Sequence, residues 1–388
     1  MTSNLIKSGL LSLSLCFFSL LGISQTILSS DARVSLLTCD PGEEIYTLFG
    51  HSAIWVYDRE TNTNKVYNYG TFDYNAPNFT INFLRGKLLY WLATEEGNNF
   101  LATYNYYQRS IKENKFQLDS VQMNLLYNAL EENALGKNRA YLYDFFFDNC
   151  STRIGDMLES VTGHTVFQQI DKKSLRDQLH EYLRGRDWTS FGIDLIIGSK
   201  ADGTATAKQQ MFLPDYLQKN LLDATFLNGK KVLEAESILV NHQLKTSIPF
   251  WITPSVLFAV LLLLEIFILS YRTSKKWIVV YDNLWLGCMA GASFILMFMW
   301  FGTDHQACAL NYNLITFSPL IIVWLLLKKN INKHYLLWLG LSIILPMLSL
   351  PFVKMSIQNV PSATMLIAII TSLKIMKNGG VSELRKWM

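Results

Sequence analysis

The sequence is short of the residue patterns that build the commonest catalytic centres. Its 388 residues hold only six histidines and five cysteines. There is no Cys-x-x-Cys, no His-Glu-x-x-His, no Gly-x-Ser-x-Gly elbow and no Walker loop. Those absences argue against dithiol redox, zincin, α/β-hydrolase and P-loop chemistry. No histidine is followed five positions later by aspartate, so the His-x-x-x-x-Asp box of glycerolipid acyltransferases is missing too. The chain also lacks an excess of one charge. Its 34 Lys+Arg stand against 31 Asp+Glu, a net of +3, which gives no footprint for nucleic acid. It has no internal repeat, no low-complexity tract and no long run of charge.

Apolar residues are present in quantity, at 50% of the chain, and they are unevenly placed. From position 250 onward there are four acids and eleven bases, whereas the preceding part carries 27 acids and 23 bases. The C-terminal part is therefore apolar and basic, and the N-terminal part mildly acidic and globular. Apolar stretches near 252–270, 284–301, 314–327, 335–350 and 361–376 predict about five transmembrane helices. Basic residues follow the first, third and fifth stretches, and the 302–313 connection has no Lys or Arg. By the positive-inside rule that connection faces outward. Residues 1–24 read as a secretory signal: Lys7, then the apolar run Leu10–Leu21, then Gly22-Ile23-Ser24. The expected division is 1–24 signal peptide, 25–249 exported domain and 250–388 transmembrane domain. Charge pattern and signal independently place the exported domain outside.

Within that domain, His51–Tyr57 and Lys65–Tyr69 predict a hairpin. Residues 120–133 predict a helix whose Val121, Leu125, Leu126 and Leu130 share a face. A further helix is expected from Cys150, capped by Asp148 or Asn149, with Ile154, Met157, Leu158 and Val161 inward. Residues 172–185 suggest another helix, and 198–207 a loop. Cys150 is the candidate nucleophile, because a helix N-terminus lowers a thiol pKa and offers N–H groups to an oxyanion. His51, on a strand directly after Gly50, is the candidate base. The alternative for an exported cysteine is a disulfide, with Cys39 or Cys308 as partner. His164 and His180 read as surface or satisfied helix residues. Asp304, His305 and Asn313 lie on the outward connection and form a candidate membrane-face substrate site.

Several blocks carry a family resemblance. These are Tyr46-Thr47-Leu48-Phe49-Gly50-His51-Ser52-Ala53-Ile54, Val66-Tyr67-Asn68-Tyr69-Gly70-Thr71-Phe72-Asp73 and Tyr143-Asp144-Phe145-Phe146-Phe147-Asp148-Asn149-Cys150. Further blocks are Phe212-Leu213-Pro214-Asp215-Tyr216-Leu217, Thr303-Asp304-His305 and Asn311-Tyr312-Asn313-Leu314. Together they resemble the Bacteroidota-type lipoprotein N-acyltransferase, Lnb. The resemblance implies an α+β, papain-like domain in circularly permuted, NlpC/LRAT-like order, on the periplasmic side of the cytoplasmic (inner) membrane. It implies acyl transfer from a phospholipid donor, through a Cys150 thioester, to the α-amine of a diacylated lipoprotein acceptor, with His51 moving the proton and no cofactor or metal. Asn149, Asn68, Thr71 and Asp73 are the orienting or oxyanion candidates, since hairpin register is not set by sequence. The alternatives are a membrane-tethered cysteine hydrolase and a non-catalytic sensor with a Cys39–Cys150 disulfide.

Overall fold

The computed structural model describes residues 27–163, 165–166, 169–243, 251–270 and 275–327, with 366, 369, 370 and 373. The expected signal segment, His164, the fourth apolar stretch and nearly all of the fifth lie outside the described residues.

The exported domain opens with β1 (Arg33–Cys39), β2 (His51–Asp58) and β3 (Thr63–Thr71), then α1 (Phe79–Leu84), β4 (Leu89–Glu96) and α2 (Gly97–Tyr106). Next come β5 (Ile111–Lys115), α3 (Ser120–Ala134), β6 (Ala140–Leu142), α4 (Cys150–Thr162) and β7 (Thr165–Val166). It closes with α5 (Leu175–Tyr182), α6 (Asp187–Ile196), α7 (Ala207–Gln210), α8 (Pro214–Asp223), β8 (Thr225–Phe226) and β9 (Ser237–Val240). Seven strands form one sheet in the order β6-β4-β3-β2-β1-β5-β9, every neighbouring pair antiparallel. The fold is α+β.

The central strands are apolar on both sides because both faces of the sheet are covered. Ile54, Val56, Tyr67 and Leu36 pack with Leu126 and Leu130 of α3 and Ile154 and Leu158 of α4. Ala53, Trp55, Val66 and Leu37 pack on the opposite face with Phe100 and Tyr104 of α2. The predicted hairpin forms, its turn closed by Asn62 at φ 54°. The predicted face of α3 is corrected: Met123, Leu126, Tyr127 and Leu130 are buried, while Val121 and Leu125 are exposed. The 3.6-residue period held, but its phase turned by about one residue to meet the sheet. The helix expected over 172–185 is shorter, starting after Ser174, whose hydroxyl caps Asp177 N–H.

The C-terminal part contains α9 (Pro254–Ser270), α10 (Lys275–Phe301), α11 (Asn313–Thr316) and α12 (Leu320–Leu327). Val280–Phe301 is long and apolar enough to cross a membrane. The third apolar stretch is broken between α11 and α12, where Pro319 cannot donate to a continuous helix. The 302–313 connection docks on the exported domain, the side that the charge pattern assigns to it. Asn311 Nδ2 donates to the carbonyls of Leu195 and Ile196 at 2.8 and 2.9 Å, and Asn313 Nδ2 to Asp194 and Leu195 at 3.3 and 3.1 Å.

That docking edge is held from behind by Arg176. Its side chain is 3% exposed and its Nη1 and Nε meet Asp194 and Asp202 at 2.9 and 2.7 Å. Its Nη2 also donates to the Ile197 carbonyl at 2.9 Å. Removing the cation leaves Asp194 and Asp202 undercompensated. Arg176→Gln is expected to destabilise the exported domain by about 3–5 kcal/mol, measured by urea unfolding of the full chain in detergent.

Candidate active site

The site forms where the hairpin comes apart. Pairing of β2 with β3 runs from Asp58↔Thr63 back to Ile54↔Tyr67. The first three residues of β2 therefore lie beyond the paired stretch. On the other side of β3, register with β4 shifts between Asn68 and Thr71. Gly70 sits in that shift with φ +88°, a conformation that side chains disfavour. The β2 and β3 strands thus open into a wedge, and Cys150 enters it from the N-terminus of α4.

The helix start is tightly built. Asn149 is the N-cap; its Oδ1 accepts from Ser151 and Thr152 N–H at 2.9 and 3.0 Å. Its Nδ2 donates to the Phe145 and Phe212 carbonyls, each at 2.8 Å. The Asn149 side chain is therefore committed to positioning the helix, which removes it from the oxyanion candidates. Ser151 Oγ is 3.1 Å from Ser52 Oγ, pinning the first turn to β2. Gly50, at φ +76°, turns the chain into β2 where a Cβ would stand 2.8 Å from the Cys39 carbonyl oxygen. No larger residue fits before His51.

His51, Asn68 and Cys150 meet in the wedge. His51 Nε2 lies 2.6 Å from Asn68 Oδ1. The imidazole and the Cys150 thiol are close enough for each to shift the other's pKa, and Nδ1 is the ring nitrogen that Asn68 leaves over. Asn68 Nδ2 points to Glu95 Oε1 at 3.5 Å, which turns the amide oxygen toward the histidine. Thr71 and Asp73, the other two orienting candidates, do not reach the ring. Thr71 Oγ1 donates to the Asn68 carbonyl at 3.4 Å, and exposed Asp73 accepts from Asn75 N–H at 2.8 Å.

Electrostatics favour an ion pair. Burial opposes charge on Cys150, but the His51 charge and hydrogen bond, the Ser52 N–H and the Ser151 hydroxyl outweigh it and hold the thiol below its ordinary pKa. Burial likewise pulls His51 down, and the Cys150 charge and hydrogen bond with the Asn68 bond raise it above the ordinary imidazole value. Cys39 behaves in the opposite way. Burial pushes its thiol up to about 12. Both cysteines are free thiols, so the expected alternative of a Cys39–Cys150 disulfide is not what the structure contains.

Sequence reasoning missed Tyr141. Its hydroxyl is buried without a hydrogen-bond partner among the described residues. A Cβ placed on Gly70 would lie 3.9 Å from that oxygen and 3.9 Å from Cys150 Cβ, so both share the wedge. Arg153, paired with Asp148 at 2.6 Å, lies 3.6 Å from the Tyr141 ring centre. The only signal was the aromatic run before Cys150, which reads equally as core.

Two family models match the chain. The Lnb N-terminal periplasmic domain matches residues 23–183, and the Lnb transmembrane domain matches residues 245–382. The chain belongs to the Lnb family. No curated protein and no solved structure matches it. It is a membrane protein whose periplasmic Lnb domain carries Cys150, His51 and Asn68. The strand β9 lies beyond the first matched segment yet completes the same sheet.

The remaining candidates of the Lnb domains lie elsewhere. His305 Nε2 is 3.0 Å from the Phe83 carbonyl oxygen, and Asp304 N–H donates to the Arg85 carbonyl at 2.9 Å. With Asn313 bonded to the α6 carbonyls of Asp194 and Leu195, these three join the membrane part to the periplasmic domain. His180 Nε2 is satisfied by both Asp194 oxygens at 3.0 Å.

The lowered Cys150 pKa sets a pH dependence. Thiolate accumulates above that pKa, so iodoacetamide should alkylate Cys150 with a midpoint below the roughly 8.5 of a free thiol. In His51→Ala the burial penalty remains while the largest lowering influence is lost, so the midpoint should rise above that value. Intact-mass measurement of alkylation rate against pH checks both.

Proposed function

We propose that this Lnb protein is a lipoprotein N-acyltransferase of the inner membrane that works through a Cys150 thioester. The observation that carries the reading is the Cys150–His51–Asn68 constellation, set in a periplasmic domain docked on its own membrane helices. A cysteine at a helix N-terminus, facing histidine and asparagine on adjacent antiparallel strands, supports a circularly permuted papain-like domain. The second matched segment supports a bundle of about five helices beneath it.

The reaction proceeds in two halves. The Cys150 thiolate attacks the carbonyl carbon of a phospholipid acyl ester. The C–O bond breaks, the imidazolium of His51 protonates the departing alkoxide, and a lysophospholipid leaves. The lipoprotein's terminal amine then attacks the thioester. His51 takes the amine proton, the C–S bond breaks, and the product amide leaves the thiolate–imidazolium pair restored. Asn68 holds the ring so that Nδ1 faces the sulfur. The Tyr141 hydroxyl and the Cys150 N–H, the first of α4 and the one that the Asn149 cap leaves over, stabilise both oxyanions. A cavity of about 1140 Å³ on the Asn68 side, lined by Tyr46, Glu95, Tyr104 and Arg109, offers room for a substrate head.

The test is incubation of the full chain with phospholipid vesicles and a diacylated lipopeptide. A hydroxylamine-sensitive acyl adduct should form on wild type and be absent from Cys150→Ser and His51→Ala. Mass spectrometry of the lipopeptide should show a third chain. An adduct that discharges only to free fatty acid would instead establish the tethered hydrolase. No adduct, with the lipopeptide unchanged, would sink both.

Two substitutions grade the parts. Tyr141→Phe removes only an oxygen and should slow adduct formation by roughly 10²-fold, the usual loss of one oxyanion donor. Asn68→Ala should lower the rate about 10-fold or more and shift the alkylation profile of Cys150, because the ring is then free to turn.

A further inference from the structure

We propose that α1 and the aromatic side chains behind it form a lipid-contacting surface that sits in the headgroup layer of the bilayer and leads a phospholipid to Cys150; the second half of this statement rests on the acyl-transfer reading above. The helix is only six residues long, yet it turns three large apolar side chains outward. Ile81, Phe83 and Leu84 are 56, 49 and 46% exposed. Tyr74 and Tyr46 beside it are 57 and 65% exposed. A contiguous patch of this kind on a domain in water is unfavourable unless something apolar covers it.

The fold shows what covers it. The C-terminal end of α1 is bound to the connection that leaves the membrane. Asp304 N–H donates to the Arg85 carbonyl at 2.9 Å, His305 Nε2 is 3.0 Å from the Phe83 carbonyl oxygen, and Lys87 Nζ is 3.8 Å from Asp304. Asp304 lies three residues past Phe301, the last residue of the apolar helix α10. The end of a membrane helix marks the bilayer boundary, so α1 is held at that level. Arg85 and Lys87 are exposed there. Apolar and aromatic side chains next to basic ones match the two layers of an interface, acyl region and phosphates.

Behind that surface a series of packed rings runs inward to the wedge, ending in buried Tyr90 and Tyr141. Phe83 stacks on Phe79 at 6.2 Å between ring centres, and Phe79 on Phe72 at 5.9 Å. Phe72 meets Tyr90 at 5.1 Å, and Tyr90 meets Tyr141 at 6.4 Å. Tyr141 shares the wedge with Cys150. The strip is aromatic along its length and ends in the Tyr141 hydroxyl, which suits an acyl chain whose polar end is the ester to be cleaved.

The experiment places p-benzoylphenylalanine at position 81 or 83 of the full chain, in nanodiscs of phosphatidylethanolamine and phosphatidylglycerol. A third sample carries it at position 60, in the hairpin turn at the far end of β2 from His51. Illumination should add one phospholipid mass at 81 and 83 and none at 60. No lipid adduct at 81 and 83, or equal adducts at all three positions, would overturn the surface. In parallel, Ile81→Asp with Phe83→Asp should slow acylation of Cys150 from vesicles at least 10-fold while leaving its iodoacetamide rate unchanged. Ile81→Leu should retain the wild-type rate. Acylation at the wild-type rate in the double variant would overturn the delivery role. If wild type itself never acylates, acyl transfer fails, and the crosslinks still decide the surface on their own.

Discussion

The mutual pKa shifts of Cys150 and His51 depend on one structural constraint, the separation of β2 from β3 beyond Ile54↔Tyr67. A paired strand would spend the Ser52 N–H on its neighbour. Here that N–H is among the groups that lower the Cys150 pKa. The register shift at Gly70 widens the same gap from the other strand. Each feature costs ladder hydrogen bonds, and each returns a donor or a space at the sulfur. The wedge also explains why the helix start is so heavily anchored. A thiolate in a partly buried gap is stabilised only while its donors stay within hydrogen-bond distance, and Asn149 satisfies four groups at once to keep α4 in place.

The second dependency is between the domain and the bilayer. Polar contacts join the periplasmic domain to the membrane part at two separated places, α1 and the α6 edge. At α6, the buried Arg176–Asp194–Asp202 cluster fixes the carbonyls that accept from Asn311 and Asn313. At α1, the backbone is bound by Asp304 and His305. Two anchors resist the rotation that a single point of attachment would allow. The placement of the domain on the membrane part is therefore built into packed structure.

The sequence made the reactive pair legible because its chemistry is local. Gly50-His51 opens a strand, Asn149-Cys150 opens a helix, and both signals survive without knowledge of the fold. What could not be read is what depends on register. Asn68, Thr71 and Asp73 are equivalent choices until the bulge at Gly70 decides which side chain turns to the ring. Asn149 looked available for the reaction because a sequence does not show where Nδ2 goes; the carbonyls that consume it include Phe212, 63 residues away. Asp304, His305 and Asn313 carry the residue types of a site, and the Asp304 N–H, His305 Nε2 and Asn313 Nδ2 meet backbone carbonyls at a domain boundary. Tyr141 was hidden for the opposite reason, as one aromatic among several in a run that is mostly core.

On the acyl-transfer reading, the decisive choice for the thioester is amine over water. A thioester favours aminolysis intrinsically, but water is vastly more abundant than any lipoprotein. The structure weighs against water in two ways. Cys150 lies partly buried between strands, beside Tyr141 and an aromatic strip that offers water few partners. The domain is also held at the bilayer boundary, where an acceptor anchored by two acyl chains is confined to the same layer as the acyl-enzyme. Confinement to one plane raises the effective concentration of the amine without any added contact. The same argument separates this arrangement from a soluble thiol hydrolase. Such an enzyme has no reason to spend an exposed apolar helix on the membrane surface, whereas a transferase between two lipids needs the anchored plane.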